Sequence, residues 1–307
     1  MPNTIELHQV TKRFGEHVAV DHLDLAVPPG TVYGFIGPNG SGKTTTLRMI
    51  LGILYPNEGT IQVFGNPRRP TADDRVSYLP EERGLYKKMK VRSILSFYAR
   101  LKGMKQCDLE IDAWLERLGL TDWADRRVET LSKGMAQKVQ FIATVISKPQ
   151  LVVLDEPFSG LDPVNMEVLK DAVMALREQG ATVLFSTHDM DVAERMCDMI
   201  FMIFRGKKVL DGDLESIQQQ YGNDTVRIRM GRTARSIADI PGVVRVNDYG
   251  PYKELRMAAD ADPQEILHRL AALGSIEHFE IARPSLRDIF VRIAGVDSQD
   301  MKASKHA

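Results

Sequence analysis

Gly37-Pro38-Asn39-Gly40-Ser41-Gly42-Lys43-Thr44-Thr45 matches the spacing G-x-x-x-x-G-K-[ST] of a phosphate-binding loop. The chemistry requires that spacing. Gly37, Gly40 and Gly42 let the backbone turn tightly and aim N–H groups inward at a polyphosphate. Lys43 supplies a point charge toward the outer phosphates, and the Thr44 hydroxyl is placed to ligate Mg²⁺. Residues 31 to 36 read as a strand and residues 44 to 54 as a helix. The anion then sits on a helix N-terminus, where unpaired N–H groups and the dipole favour negative charge.

A loop of this kind says only that a nucleotide is held. The segment Leu151-Val152-Val153-Leu154-Asp155-Glu156 narrows the chemistry. It is an apolar run ending in two carboxylates, the pattern of a strand buried on both faces of a parallel sheet. Asp155 is placed to hold Mg²⁺ through water beside Thr44, and Glu156 is a candidate general base for an attacking water. Residues 182 to 186 form a second buried strand, followed by Thr187-His188-Asp189.

The rest of the chain falls into blocks. Short apolar alternations at 5 to 10 and 18 to 27 read as an antiparallel patch, with Phe14 in the turn Lys12-Arg13-Phe14-Gly15. Residues about 86 to 147 change character. Val91, Ile94, Leu95, Tyr98 and Leu101 share one helical face, and two further helices follow. This block interrupts the strand–helix alternation and reads as an inserted helical subdomain. Beyond a polar boundary at 211 to 223 lies a small α+β unit over 223 to 295, then a polar tail, 296 to 307, expected to fray. The expected fold is therefore α/β: a nucleoside-triphosphatase core over 1 to 215 with an antiparallel β subdomain and a helical insert, plus the small C-terminal α+β domain.

A length of 307 residues suits one large domain and a smaller one. The net charge of −1 gives no general attraction to nucleic acid or an anionic membrane. The densest basic stretches, Arg68-Arg69 with Arg75 and Lys87-Lys88-Lys90-Arg92, are short and read as solvated surface. Cys107 and Cys197 carry no metal-ligand spacing and fit reduced thiols in the cytoplasm. No apolar run approaches the roughly 20 residues that span a bilayer, and the N-terminus does not read as a signal peptide.

Three further pieces carry a resemblance. Leu131-Ser132-Lys133-Gly134-Met135 opens a helix about twenty residues before Asp155, Ser159-Gly160-Leu161-Asp162-Pro163 follows Glu156, and His188 ends the next strand. Over residues 4 to about 215 the chain resembles the nucleotide-binding subunits of ABC transporters. The resemblance implies ATP and Mg²⁺ as ligands and ATP hydrolysis coupled to transport. It also implies a second copy of the chain as dimer partner, separate integral membrane permease subunits, and no nucleic acid. It places the protein on the cytoplasmic face of the membrane. Phe14 is similar to the aromatic that stacks on adenine, and Gly37 to Thr45 to the Walker A loop. Asp155 and Glu156 resemble the Walker B pair, and His188 the switch histidine at the γ-phosphate. Ser132, Lys133, Gly134 and Met135 stand at the signature loop that reaches the partner's ATP. Asp162 belongs to the loop that crosses between subunits.

Two departures stand out. Lys133 and Met135 replace the usual glycine and glutamine of the signature, while Ser132 and Gly134 are kept. Glu81 occupies the place of a glutamine that touches Mg²⁺ and the attacking water, with Glu82 as the occupant if the loop is shifted by one. The run from Tyr78 to Tyr86, the signature and the segment Arg283 to Phe290 resemble the ATPases of ABC-2-type exporters, sodium-efflux (NatA-like) and drug-resistance ATPases among them. Leu85, Tyr86 and Met89 then line either a permease-docking groove or the helical core. The alternative functions are a soluble ABC ATPase acting on DNA or ribosomes, and an import ATPase.

Overall fold

A computed structural model of the chain describes residues 2–67, 73–82, 84–221, 225–231, 237–258 and 260–303, the last eight by backbone alone. The Arg68-Arg69 pair, Arg83 and residues 304–307 of the expected tail lie outside the described residues. The chain divides into two compact units, Met1–Asp213 and Leu214–Ala307.

In the first unit, β1 (Ile5–Phe14) and β2 (His17–Val27) pair antiparallel, Ile5 opposite Val27 and Phe14 opposite His17. Alternation buries Ile5, Leu7, Leu23, Leu25 and Val27 on one face. Pairing continues to the turn at Gly15, whose φ of +58° suits glycine, so Phe14 ends a strand instead of lying in the turn. Next come β3 (Val32–Ile36) and α1 (Lys43–Ile50). This helix stops four residues before the expected end. Gly52 turns left-handed at φ +72°, and the Ile53 and Leu54 N–H groups fold back to the Arg48 carbonyl. β4 (Glu58–Val63) pairs with β1, and β5 (Asn66–Pro67) closes that four-stranded sheet.

The chain then gives β6 (Val76–Leu79) and the helices α2 (Val91–Leu101), α3 (Asp108–Arg117) and α4 (Lys133–Val145). The helices share a core in which the Trp114 ring meets Phe141 edge-on at 5.9 Å and Val91, Ile94, Leu95 and Ile142 are fully buried. β7 (Leu151–Asp155), α5 (Pro163–Glu178), β8 (Thr182–Thr187), α6 (Met190–Met196), β9 (Met199–Phe204) and β10 (Lys207–Gly212) complete the unit. A six-stranded sheet runs β10-β9-β3-β8-β7-β6, parallel throughout except for β10. Every residue of β3, β7 and β8 is buried, as sheets covered on both faces require. Register is what builds the site. Ile36 pairs with Thr187 and Asp155 with Ser186, so β3, β7 and β8 end side by side. Ligands of open α/β sheets bind beyond such carboxyl ends.

The second unit begins with α7 (Leu214–Gln220). Strands β11 (Thr225–Met230), β12 (Val243–Asp248), β13 (Lys253–Met257) and β14 (Ile276–Ala282) form an antiparallel sheet ordered β12-β13-β11-β14. α8 (Pro263–Ala271) closes the apolar face with Ile266 and Leu270 against Val226, Ile228, Leu255 and Met257. α9 (Leu286–Ala303) is longer than the expected helix at 286 to 293 and runs through most of the segment expected to fray. No proline follows Pro284, and a single Gly295 does not stop a helix rich in good helix formers.

Candidate functional site

The phosphate loop is held from behind by backbone hydrogen bonds. Gly37 N–H donates to the Thr187 carbonyl at 3.2 Å, and Gly206 N–H donates to the Ser41 carbonyl at 2.9 Å. The Gly206 carbonyl in turn accepts from Asp21 N–H at 2.9 Å, which ties the β9–β10 hairpin tip to both the loop and β2. Two loop glycines are sterically fixed. A Cβ on Gly37 would lie 2.2 Å from the Ile203 carbonyl oxygen, and one on Gly42, at φ +109°, 2.5 Å from that of Ala19. Gly40, also left-handed at φ +77°, faces open space, so its glycine serves the turn.

Lys43 is 6% exposed and its Nζ donates to the Gly37 carbonyl at 2.6 Å and the Pro38 carbonyl at 3.2 Å. The same Nζ lies 3.8 Å from Glu156 Oε1. Burial pushes the Lys43 amine below its ordinary value, while Glu156, Asp155 and Glu81 pull it back up. Thr44 Oγ1 donates to Asp155 Oδ1 at 3.4 Å, and Ser186 Oγ donates to the same oxygen at 2.5 Å. Tyr78 OH reaches Asp155 Oδ2 at 3.4 Å. Burial, with Asp155 adding and Arg48 opposing, pushes the Tyr78 phenol up to about 12, so it stays a donor.

Glu156 follows β7 with φ +49°, a left-handed backbone that costs a non-glycine residue free energy. Its N–H is tied to Ser186, to the carbonyl at 3.2 Å and to Oγ at 3.1 Å. The turn delivers its side chain to His188, whose Nδ1 lies 2.9 Å from Glu156 Oε1. Glu156 is 8% exposed, whereas the His188 side chain is about half exposed. Five of the residues singled out in the sequence thus meet in one place: Lys43, Thr44, Asp155, Glu156 and His188. Glu81 is within electrostatic reach of Lys43 but exposed.

The other candidates lie outside that cluster. Phe14 is 49% exposed, with Lys12 Nζ 5.3 Å above its ring. Ser132 is the N-cap of α4, its hydroxyl accepting from Met135 N–H at 3.2 Å. Lys133 leans on the loop after β7: a Cβ on Gly160 would fall 2.4 Å from its Nζ. A Cβ on Gly134 would lie 3.4 Å from Asn165 Nδ2 and from Leu161. Asp162 caps α5, accepting from Asn165 N–H at 2.9 Å, and the Asn165 hydrogen bonds hold its carboxyl below the usual range.

Four residues of the site escape motif reading. Tyr78 and Ser186 fix Asp155, as above. On α4, Gln137 Nε2 donates to the Pro157 carbonyl at 3.1 Å, next to Glu156. Gln140 Nε2 donates to the carbonyls of Pro80 at 3.4 Å and Glu82 at 3.3 Å, on either side of Glu81. Both glutamines are buried, and three residues apart they share a helix face. Buried polar side chains inside an apolar helix are the one signal that marks them in the sequence.

The model of the ABC transporter family matches residues 20–159, and that of the "ATP-binding protein DrrA1-3-like, C-terminal domain" matches residues 212–294. An uncharacterized ABC transporter ATP-binding protein of Bacillus subtilis (strain 168) is 44% identical over 293 residues, covering 95% of this chain and 98% of its own. A Nod factor export ATP-binding protein I of Cupriavidus metallidurans is 33% identical over 309 residues, covering 98% of this chain and all of its own length. Among solved structures, an ATP-binding subunit of an ABC transporter superposes with a TM-score of 0.65 at 27% identity, over 71% of this chain and 93% of that one.

Proposed function

Since the chain belongs to the ABC transporter ATP-binding proteins, the ATP-hydrolysing subunits of these transporters, we propose that two copies of it close head-to-tail around ATP and drive a separate export permease. The observation that carries the reading is the convergence of Lys43, Thr44, Asp155, Glu156 and His188 at the ends of three adjacent strands. In that arrangement Lys43 leaves its loop carbonyls to meet the outer phosphates. Glu156 accepts a proton from water, held in place by His188 and by its own constrained backbone. His188, more exposed than Glu156, is free to turn toward the γ-phosphate.

The residues fit a hard cation. Thr44 and Asp155 offer two oxygens 3.4 Å apart. Among the described residues no group of three His, Cys, Asp or Glu side chains could hold a metal unaided. Mg²⁺ suits such a partial donor set, because it is held by one or two protein oxygens with substrate phosphates and water. Held by Thr44 and Asp155, it would supply positive charge against the phosphates and neutralise the charge that develops during hydrolysis.

Ser132 and Gly134 complete the partner's site in this reading, with Phe14 against the adenine. Among the described residues no helix is long and apolar enough to cross a membrane. A peripheral subunit docked on a permease at the cytoplasmic face accords with that. The relatives described as Nod factor export ATP-binding proteins support export over import, and the C-terminal unit matches the DrrA-like domain. This reading takes residues 1–215 as the ATPase core and 223–295 as an accessory domain.

Glu156→Gln tests the reading. ATP binding should persist, turnover should fall by roughly 10²–10⁴-fold, and a dimer should accumulate on gel filtration with ATP and Mg²⁺. Turnover at the parent rate would remove Glu156 from the role of base.

A further inference from the structure

The second unit carries a cavity that the ATPase does not use. On β11 and β13 alternation sends Val226, Ile228, Leu255 and Met257 to the α8 side. Their neighbours Thr225, Arg227, Glu254 and Arg256 go to the opposite face. There a cavity of about 690 Å³ opens between the polar sheet face and the first turns of α9. That volume is within the range of small-ligand sites.

Among the described residues the cavity lining holds five arginines, 227, 245, 256, 287 and 292, and three acids. Each acid has a partner. Glu254 pairs with Arg227 at 3.2 Å, Asp248 pairs with Lys253, and Asp288 accepts from Ser285 Oγ at 2.5 Å. Arg245 stands directly opposite Arg256 in the antiparallel register. Among the described residues neither Arg245 nor Arg287 is ion-paired with an acid, so an anion in the cavity would meet two open guanidinium groups. Glu254 and Thr225 are 8% and 5% exposed, whereas Arg245 and Arg287 are exposed.

The rim supplies a second, independent feature. At the β12–β13 turn Tyr249 and Tyr252 stack, with centroids 5.1 Å apart and planes inclined by 23°. Both line the cavity, and they remain 50% and 38% exposed. Stacked phenol rings beside guanidinium groups recognise flat rings, and guanidinium forks match phosphate oxygens.

We propose that this cavity binds a small ligand consisting of a planar heteroaromatic ring that carries a phosphate group. The ring lies against Tyr249 and Tyr252, and the phosphate is held by Arg245 and Arg287. The site is separate from the loop at Gly37–Thr45, so it stands whether or not the ATPase assignment holds.

Flavin mononucleotide is the probe, because its ring fluorescence reports stacking. The full chain is first saturated with ADP and Mg²⁺ so that the phosphate loop is occupied. Saturable quenching is expected, with riboflavin, which lacks the phosphate, binding at least tenfold more weakly, and inorganic phosphate displacing the probe. Arg245→Ala with Arg287→Ala should weaken binding at least tenfold, and Tyr249→Ala should remove most of the quench. An unchanged melting temperature checks that these exposed substitutions leave the fold intact. No saturable quench at millimolar probe, equal affinity for riboflavin, or undiminished binding in the double arginine variant would each overturn the proposal.

Discussion

His188 Nδ1 lies 2.9 Å from Glu156 Oε1, and Lys43 Nζ lies 3.8 Å from that same oxygen. One carboxylate oxygen therefore faces both a histidine and the phosphate-loop lysine. Removing the ring should leave Glu156 without its orienting partner. His188→Ala is expected to lower kcat by roughly 10²-fold, in the range of lost transition-state donors, with ATP affinity changed by only a few-fold. Steady-state kinetics decide it: a rise in KM alone would assign His188 to ground-state binding.

The depressed amine of Lys43 predicts a proton signature. Burial lowers its pKa, opposed by Glu156, Asp155 and Glu81. Bound phosphates add negative charge and raise it further. The bound form then holds more protons than the free form between the two pKa values. Binding should take up protons, about one at most per site, between those two values, and affinity should weaken as pH rises through that range. Calorimetry of ATP or ADP binding in buffers of different ionisation enthalpy measures this. Proton release in that range would contradict the assignment.

Ser132 separates a local role from an interface role. Its hydroxyl caps α4, so Ser132→Ala should cost about 1 kcal/mol of stability, read from denaturant melts. Ser132→Arg should leave ATP binding by the isolated monomer intact and abolish turnover. If the arginine also removes monomer binding, Ser132 acts on its own subunit's nucleotide.

Glu81 and Gln140 form a pair to be tested together. Glu81→Gln removes a negative charge near Lys43 and should raise basal ATPase activity several-fold. Gln140→Leu keeps the volume and frees the carbonyls of Pro80 and Glu82. If Gln140 positions Glu81, the gain from Glu81→Gln should shrink in the Gln140→Leu background, a non-additivity that a double-mutant cycle detects. Fully additive effects would leave Gln140 a packing residue.

The phosphate loop was legible because its glycines, lysine and threonine sit at fixed local spacing. The strands ending at Asp155 and Thr187 were legible because burial on both faces leaves an unbroken apolar run. Tyr78 was not, since its reach to Asp155 depends on β6 pairing with β7 across more than seventy residues of chain. The same holds for Ser186, whose link to Asp155 is a register effect. Phe14 ends β1 and does not lie in the turn expected at Lys12-Arg13-Phe14-Gly15, because strand pairing, which no local pattern records, carries β1 to its end. The alternation at 225 to 230 signals a half-polar sheet, but not that α9 leaves a cavity over it.

The hydrogen bond from Gly206 N–H to the Ser41 carbonyl sets how nucleotides trade places. A loop anchored to the β9–β10 hairpin acquires its shape when the protein folds, so the ordering entropy is not charged again at each binding event. Spent and fresh nucleotide then exchange at a ready-made socket, by escape and capture with no refolding between them.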